Sequence, residues 1–173
     1  MECPITYSFY PHMGPVHSVA FSPLLRNLFA SCAADGIIRV HSSLQAAPLL
    51  LLEPSVLSIY CVAWSPMKPL VLAAGGSGGL VFLYDLTVDP SNPVQTMRAS
   101  PRVARAGGAG GEGWEVESEE REAGSNVNAL LFQESGSLLA AGCWSGETHV
   151  WRLRNELCEQ VPEDGEAAKK LLG

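Results

Sequence analysis

A chain of 173 residues carrying a formal charge of −7 has room for one domain and its appendages. That charge is spread out, about −2 over residues 1–96, −2 over 97–126, −1 over 127–153 and −2 over the remainder, so no basic face tracks a phosphate backbone and nucleic-acid binding finds no support. The five cysteines, Cys3, Cys32, Cys61, Cys143 and Cys158, form no CxxC pair and no metal-ligand spacing; their odd number argues against a fully paired disulfide framework and for a reduced, intracellular protein.

Taken in order, Met1-Glu2-Cys3-Pro4 offers neither a basic n-region nor an apolar h-region, so a signal peptide is not expected. Ile5 to Tyr10 reads as a strand by its β-branched and aromatic content. Three strands follow at about 16–21, 28–33 and 37–41, and Leu49–Leu52 supplies a fourth. Pro48, Glu53 and Pro54 interrupt the apolar run there, which excludes a membrane-spanning helix of about 20 residues. A second set is expected at about 59–64, 70–74, 80–85 and 94–97, and a third at about 127–132, 137–142 and 147–153.

These sets are copies of one pattern. Phe21 and Trp64 are 43 positions apart, and Trp64 and Phe132 are 68 apart, the same interval enlarged by an insertion of 25. Asp35-Gly36, Gly78-Gly79 and Ser145-Gly146 fall at matching places between the second and third strands, where a tight hairpin needs positive φ. Gly75 to Gly79 reads as such a turn and not as a phosphate cradle, since no Lys-Ser/Thr follows and it leads into a strand. Residues 98–126 hold Gly107 to Gly111 and then six glutamates between Glu112 and Glu122, a composition expected to form a disordered insertion. Residues 155–173 are expected to form an acidic tail that is frayed or unstructured.

A period of roughly 40–45 residues with short strands in each copy resembles the WD40-type β-propeller blade. The likeness is specific at Pro11-His12-Met13-Gly14-Pro15-Val16, where His12 takes the histidine position of a blade opening and Asp35 the aspartate of the turn it bonds to. In such blades a serine in the second strand and a tryptophan in the third complete a buried polar network. Here Ala33 is assigned to the serine position and His41 to the tryptophan position, so the network is expected to be at most half present. Tyr84-Asp85 is the nearest match to the Trp-Asp ending, and Trp151-Arg152 keeps only its tryptophan. The structural WD40 positions are therefore His12, Asp35, Gly36, Gly79, Tyr84, Asp85, Gly146 and Trp151. The fold class implied is all-β, an open, partial WD40-type propeller of about three four-stranded blades truncated on its N-terminal side. Residues 1–11 would be an outer strand of a preceding blade, 12–97 two blades, 98–126 the insertion, 127–154 the last blade and 155–173 the tail.

The wording of the repeats narrows the resemblance. Gly14 to Val19, Arg26-Asn27-Leu28-Phe29, Leu44 to Leu49, Trp64-Ser65-Pro66 with Pro69-Leu70-Val71, and Leu138 to Gly142 with Val150-Trp151 resemble the C-terminal propeller of dynein intermediate chains. Among them they are most similar to that of cytoplasmic dynein 2, the motor of retrograde intraflagellar transport in cilia. The resemblance implies a non-catalytic scaffold subunit that binds the dynein heavy chain among other dynein-2 subunits. It implies residence in the cytoplasm and at the cilium, basal body and axoneme, and absence of the light-chain sites that precede the propeller. The alternative is an unrelated WD40 adaptor such as a substrate receptor of a ubiquitin ligase, because one fold hosts many functions.

No catalytic, cofactor-binding or metal site is read from the sequence. His12, His17, His41 and His149 lie in separate strands and turns without a carboxylate at a readable spacing, and no G-x-S-x-G elbow occurs. An open fan is also expected to leave two apolar blade faces bare, making the isolated chain marginally stable or self-associating.

Overall fold

In the computed structural model, residues 8–54, 57–99, 125–159 and 165–167 are described. Their strands fall into three antiparallel sheets that succeed one another along the chain. Blade 1 comprises β1 (Val16–Phe21), β2 (Leu28–Ala33), β3 (Ile38–Ser42) and β4 (Leu50–Leu52), paired in that order. Blade 2 repeats the meander with β5 (Ile59–Trp64), β6 (Val71–Gly76), β7 (Leu80–Asp85) and β8 (Gln95–Arg98). Blade 3 comprises β9 (Val127–Phe132), β10 (Leu138–Cys143) and β11 (Thr148–Arg152). The fold is all-β and open, as the repeat predicts.

Strand alternation builds the contacts between blades. One face of blade 1, with Leu28, Ala30, Cys32, Ile38, Val40 and Leu52, packs on Ile59, Val62, Trp64, Leu72, Phe82 and Tyr84 of blade 2. The other face of blade 2, with Cys61, Val71, Ala73, Val81, Leu83 and Met97, packs on Val127, Phe132, Leu139 and Ala141 of blade 3. A fully buried Val, Leu or Ile contributes about 1.5–3 kcal/mol, so these two layers carry most of the fold. The Trp64 indole N–H donates to the Ala20 carbonyl at 3.0 Å and ties the first strand of blade 2 to that of blade 1.

The hairpin turns use their glycines as expected: Gly36, Gly79 and Gly146 have φ of 74°, 73° and 88°. Gly75 and Gly76, assigned to a turn in the sequence, instead belong to β6. The reason is closeness, since a Cβ on Gly75 would lie 2.6 Å from both Cys61 Sγ and Val127 Cγ1. A bare backbone there lets blade 3 approach blade 2.

Other boundaries shift as well. Ser8 to Tyr10 are not in a strand, while Ile5 to Tyr7 lie outside the described residues. Phe9 instead sets its ring edge-on to Phe29 at 5.0 Å, and the Tyr10 N–H donates to Ala46 O at 3.2 Å. Arg98 ends β8, and Ala99 is buried with its N–H on Gly79 O, so the second blade reaches two residues into the segment read as an insertion. Residues 100–124 lie outside the described ones. Blade 3 has three strands among the described residues. After Arg152 the chain buries Leu153 and enters a short 3-10 turn, Asn155–Leu157, whose Leu157 is also buried.

Candidate functional site

The polar positions predicted in blade 1 come together. The His12 Nδ1–H donates to Asp35 Oδ2 at 3.0 Å, and His12 Nε2 lies 2.8 Å from Ser31 Oγ. Ser31 Oγ is 3.0 Å from His41 Nε2. The serine position is therefore filled by Ser31, not left empty at Ala33, and the network is complete, not half present. With both rings neutral the direction of the chain is fixed by its carboxylate end: His41 Nε2–H donates to Ser31, Ser31 O–H to His12 Nε2, and His12 Nδ1–H to Asp35. An imidazole N–H thus does at His41 what an indole N–H does in the tryptophan version.

Asp35 further accepts from the Met13 N–H at 3.0 Å and the Ile37 N–H at 3.1 Å. Burial raises its pKa, but these two amides and His12 outweigh that and hold it below the ordinary 3.8. Burial, with the nearby His12 and Arg39, lowers His41 from 6.5 to about 4. An Asp–His–Ser sequence of bonds has the outline of a nucleophile relay, yet Ser31 is buried and its hydroxyl is held between two imidazoles. Here it fastens residues 12–13 onto the turn after β2.

Blade 2 has no counterpart at these positions. Tyr84 stands where His41 does and is fully buried, and its hydroxyl has no hydrogen-bond partner among the described residues. Its polar fastening lies one residue further on, at Asp85, which ends β7. Asp85 accepts from Lys68 Nζ at 2.8 Å and from the Thr87 N–H at 3.0 Å, and Lys68 Nζ also donates to Glu156 O at 3.1 Å. This buried pair clips the 3-10 turn of the tail onto blade 2. In blade 3 the equivalent residues are Trp151, half-buried, and Arg152, exposed. Among the described residues no group of three or more His, Cys, Asp or Glu could hold a metal ion. Burial pushes the Cys32 and Cys61 thiols up to about 12, leaving them protonated.

The sequence reading missed a second constellation. In every blade the pairing of the first two strands skips one residue on the first strand: His17 between Val16 and Ser18, Tyr60 between Ile59 and Cys61, Asn128 between Val127 and Ala129. A bulged residue leaves the ladder and its side chain is re-aimed. All three line one cleft of about 350 Å³, together with Asn126 and Trp144. The His17 and Tyr60 rings are 5.2 Å apart, and Asn126 Nδ2–H donates to the Tyr60 hydroxyl at 3.3 Å. Trp144 is 80% exposed at the tip of the β10–β11 turn. That turn is held by Trp144 N–H to Asn126 O at 2.9 Å and Ser145 N–H to Ser125 Oγ at 2.7 Å. The one signal available beforehand was the repeat itself, which puts His17, Tyr60 and Asn128 each four residues before Phe21, Trp64 and Phe132.

This architecture, with a positive-φ glycine in the turn before the third strand of each copy and a histidine-to-aspartate fastening in blade 1, defines a WD40 blade array, and the family model described as WD domain, G-beta repeat, matches residues 3–42, 52–85 and 119–152. The chain belongs to the WD40-repeat proteins. It is homologous, at low to moderate identity, to dynein intermediate chains. It is 36% identical over 171 residues to human cytoplasmic dynein 2 intermediate chain 2, covering 96% of this chain and 27% of that protein. With human dynein axonemal intermediate chain 4 the identity is 26% over 162 residues, 94% of this chain and 16% of the relative. The chain thus spans about a quarter or less of these relatives. Among solved structures, the WD40 domain of Toxoplasma gondii coronin superposes with a TM-score of 0.61 at 16% identity, over 83% of this chain and 32% of that one, a likeness of fold alone.

Proposed function

We propose that the chain serves as a non-catalytic scaffold of a dynein motor, binding the heavy chain of cytoplasmic dynein 2 as an intermediate chain does, with a place in ciliary transport. The observation that carries this reading is the 36% identity sustained along nearly the whole chain to a cytoplasmic dynein 2 intermediate chain, well above the identity to the axonemal relative. The physical character of the blades supports it. Their buried polar groups are used to fasten turns and the tail, and their breadth is rigid sheet, a platform more than a reaction centre.

The test is capture of the full tagged chain from ciliated cells followed by identification of co-purifying heavy chains. Recovery of the cytoplasmic dynein 2 heavy chain is expected. Capture of the chain with no dynein heavy chain contradicts the proposal.

A further inference from the structure

The strand registers put Ala20, Ala30 and Val40 in one row across blade 1, and Ala63, Ala73 and Leu83 in the same row across blade 2. In blade 3 that row is Leu131, Ala140 and Val150. Side chains alternate between faces along a strand, so each row lies on the face turned towards the following blade. In blades 1 and 2 the row receives its neighbour, and Ala30, Val40, Ala73 and Leu83 are fully buried. In blade 3 the same row is bare, with Leu131 and Val150 exposed. The alanine at the centre of every row lets the next sheet approach closely.

The rows that insert are equally regular. Trp64, Leu72 and Tyr84 of blade 2 pack against blade 1, and Phe132 and Leu139 of blade 3 pack against blade 2. The row at the same register in blade 1 is Phe21, Phe29 and His41. Phe21 is 66% exposed and Val19 is exposed beside it, and no sheet covers them among the described residues. Val19, Phe21 and Phe29 stand 43 positions before Val62, Trp64 and Leu72, which all belong to the core shared by blades 1 and 2. Phe9 likewise stands 43 positions before Leu52 of that core, and its ring lies on Phe29 and His41. The described fan therefore carries an unfilled receiving row on one outer face and an unused inserting row on the other.

We propose that a second copy of the chain joins these two faces: the Phe21 row of each copy seats on the Leu131 and Val150 row of the other, as blade 2 seats on blade 1 within the chain. The contact pairs two different faces and is heterologous, so it gives a closed ring only where the rotation between blades closes. Two copies of three sheets make six blades, inside the range of about four to eight over which propellers close, and both contacts then form at once. The contact is weaker than the internal one. Phe21 lacks the N–H with which Trp64 reaches the Ala20 carbonyl, and joining separate molecules costs translational and rotational freedom. A dissociation constant in the micromolar range is expected, and far below it the open monomer prevails. This pairing stands apart from heavy-chain binding and does not depend on it.

Sedimentation velocity on the full chain, from far below to far above the micromolar range, tests the proposal. A reversible shift from monomer to a species of twice the mass, with nothing larger, is expected. Phe21→Glu on the inserting row, and Val150→Glu or Leu131→Glu on the receiving row, should each weaken the dimer at least about tenfold, because both contacts then bury a charge. An equimolar mixture of Phe21→Glu and Val150→Glu should associate more tightly than either variant alone, since a mixed dimer keeps one undamaged contact. The variants should retain the parent's far-ultraviolet circular dichroism, because the three side chains are exposed in the monomer. A monomer at every concentration, growth beyond two copies, a dimer that resists either Phe21→Glu or Val150→Glu, or a mixture no tighter than its components would each overturn the proposal.

Discussion

Val40, Leu83 and Val150 occupy the same place in the third strand of the three blades, yet the first two are fully buried and the last is 60% exposed. The outward face of blade 3, with Leu131 71% exposed beside Val150, repeats the apolar pattern that elsewhere joins one blade to the next. Blade 1 also has an outward face, and Val19 and Phe21 are exposed on it. There, however, Phe9 and His12 cover Phe29 and Ser31. The contrast teaches that a blade's face is completed either by a neighbouring sheet or by a local polar fastening, and that blade 3 has neither on its outer side among the described residues. Blades 1 and 2 are each fastened by buried polar groups, blade 1 through Ser31 and His41 and blade 2 through Asp85 with Lys68.

The largest effect that breaks this comparison is a charge placed at the equivalent positions. Leu83→Glu should yield no folded protein, whereas Val150→Glu should change stability by less than about 0.5 kcal/mol, as chemical denaturation will read. A severe loss at Val150 would mean that its face is covered. Next comes the fastening of blade 2. Lys68→Ala leaves the Asp85 carboxylate buried without its ammonium and is expected to cost about 3–5 kcal/mol. Asp35→Ala removes the acceptor for His12, Met13 and Ile37 and should cost about 2–3 kcal/mol.

The blade 1 network also makes stability depend on pH. Folding lowers the His41 pKa from 6.5 to about 4, so below pH 6.5 the unfolded chain takes up a proton that the folded chain refuses until about pH 4. Stability contributed by His41 is thus full above 6.5 and declines as the pH falls towards 4, by about 3 kcal/mol in all. Asp35, held below its ordinary 3.8, adds a further loss as acid reaches its own range. His41→Leu should remove the upper slope and leave the lower one. The smallest effect is at Trp144, where Ala should leave the melting temperature unchanged.

Much of the fold was legible because the repeat fixes where strands fall. β1, β2, β5, β7 and β9 have the bounds that the 43-residue interval gives, and the others shift by one or two residues. The site was harder to read. Ser31 and Ala33 share one face of β2, and choosing between them depends on how far the His12 ring reaches, a distance that no spacing contains. His41 was discounted because its identity differs from tryptophan, although its N–H supplies the same bond. The bulges were invisible for another reason. An extra residue in a ladder shows only when both strands are paired, and His17, Tyr60 and Asn128 share position but not chemistry.

Amide hydrogen exchange on the full chain, resolved by peptide, tests the contrast between fastened and open blades most directly. If polar fastening and sheet-on-sheet burial protect blades 1 and 2 while blade 3 lies open on one side, amides of β2 and β6 should exchange most slowly. Those of β11, at the edge of its sheet, should exchange at least about tenfold faster than those of β7, its counterpart in blade 2. Equal protection of β11 and β7 would contradict the account.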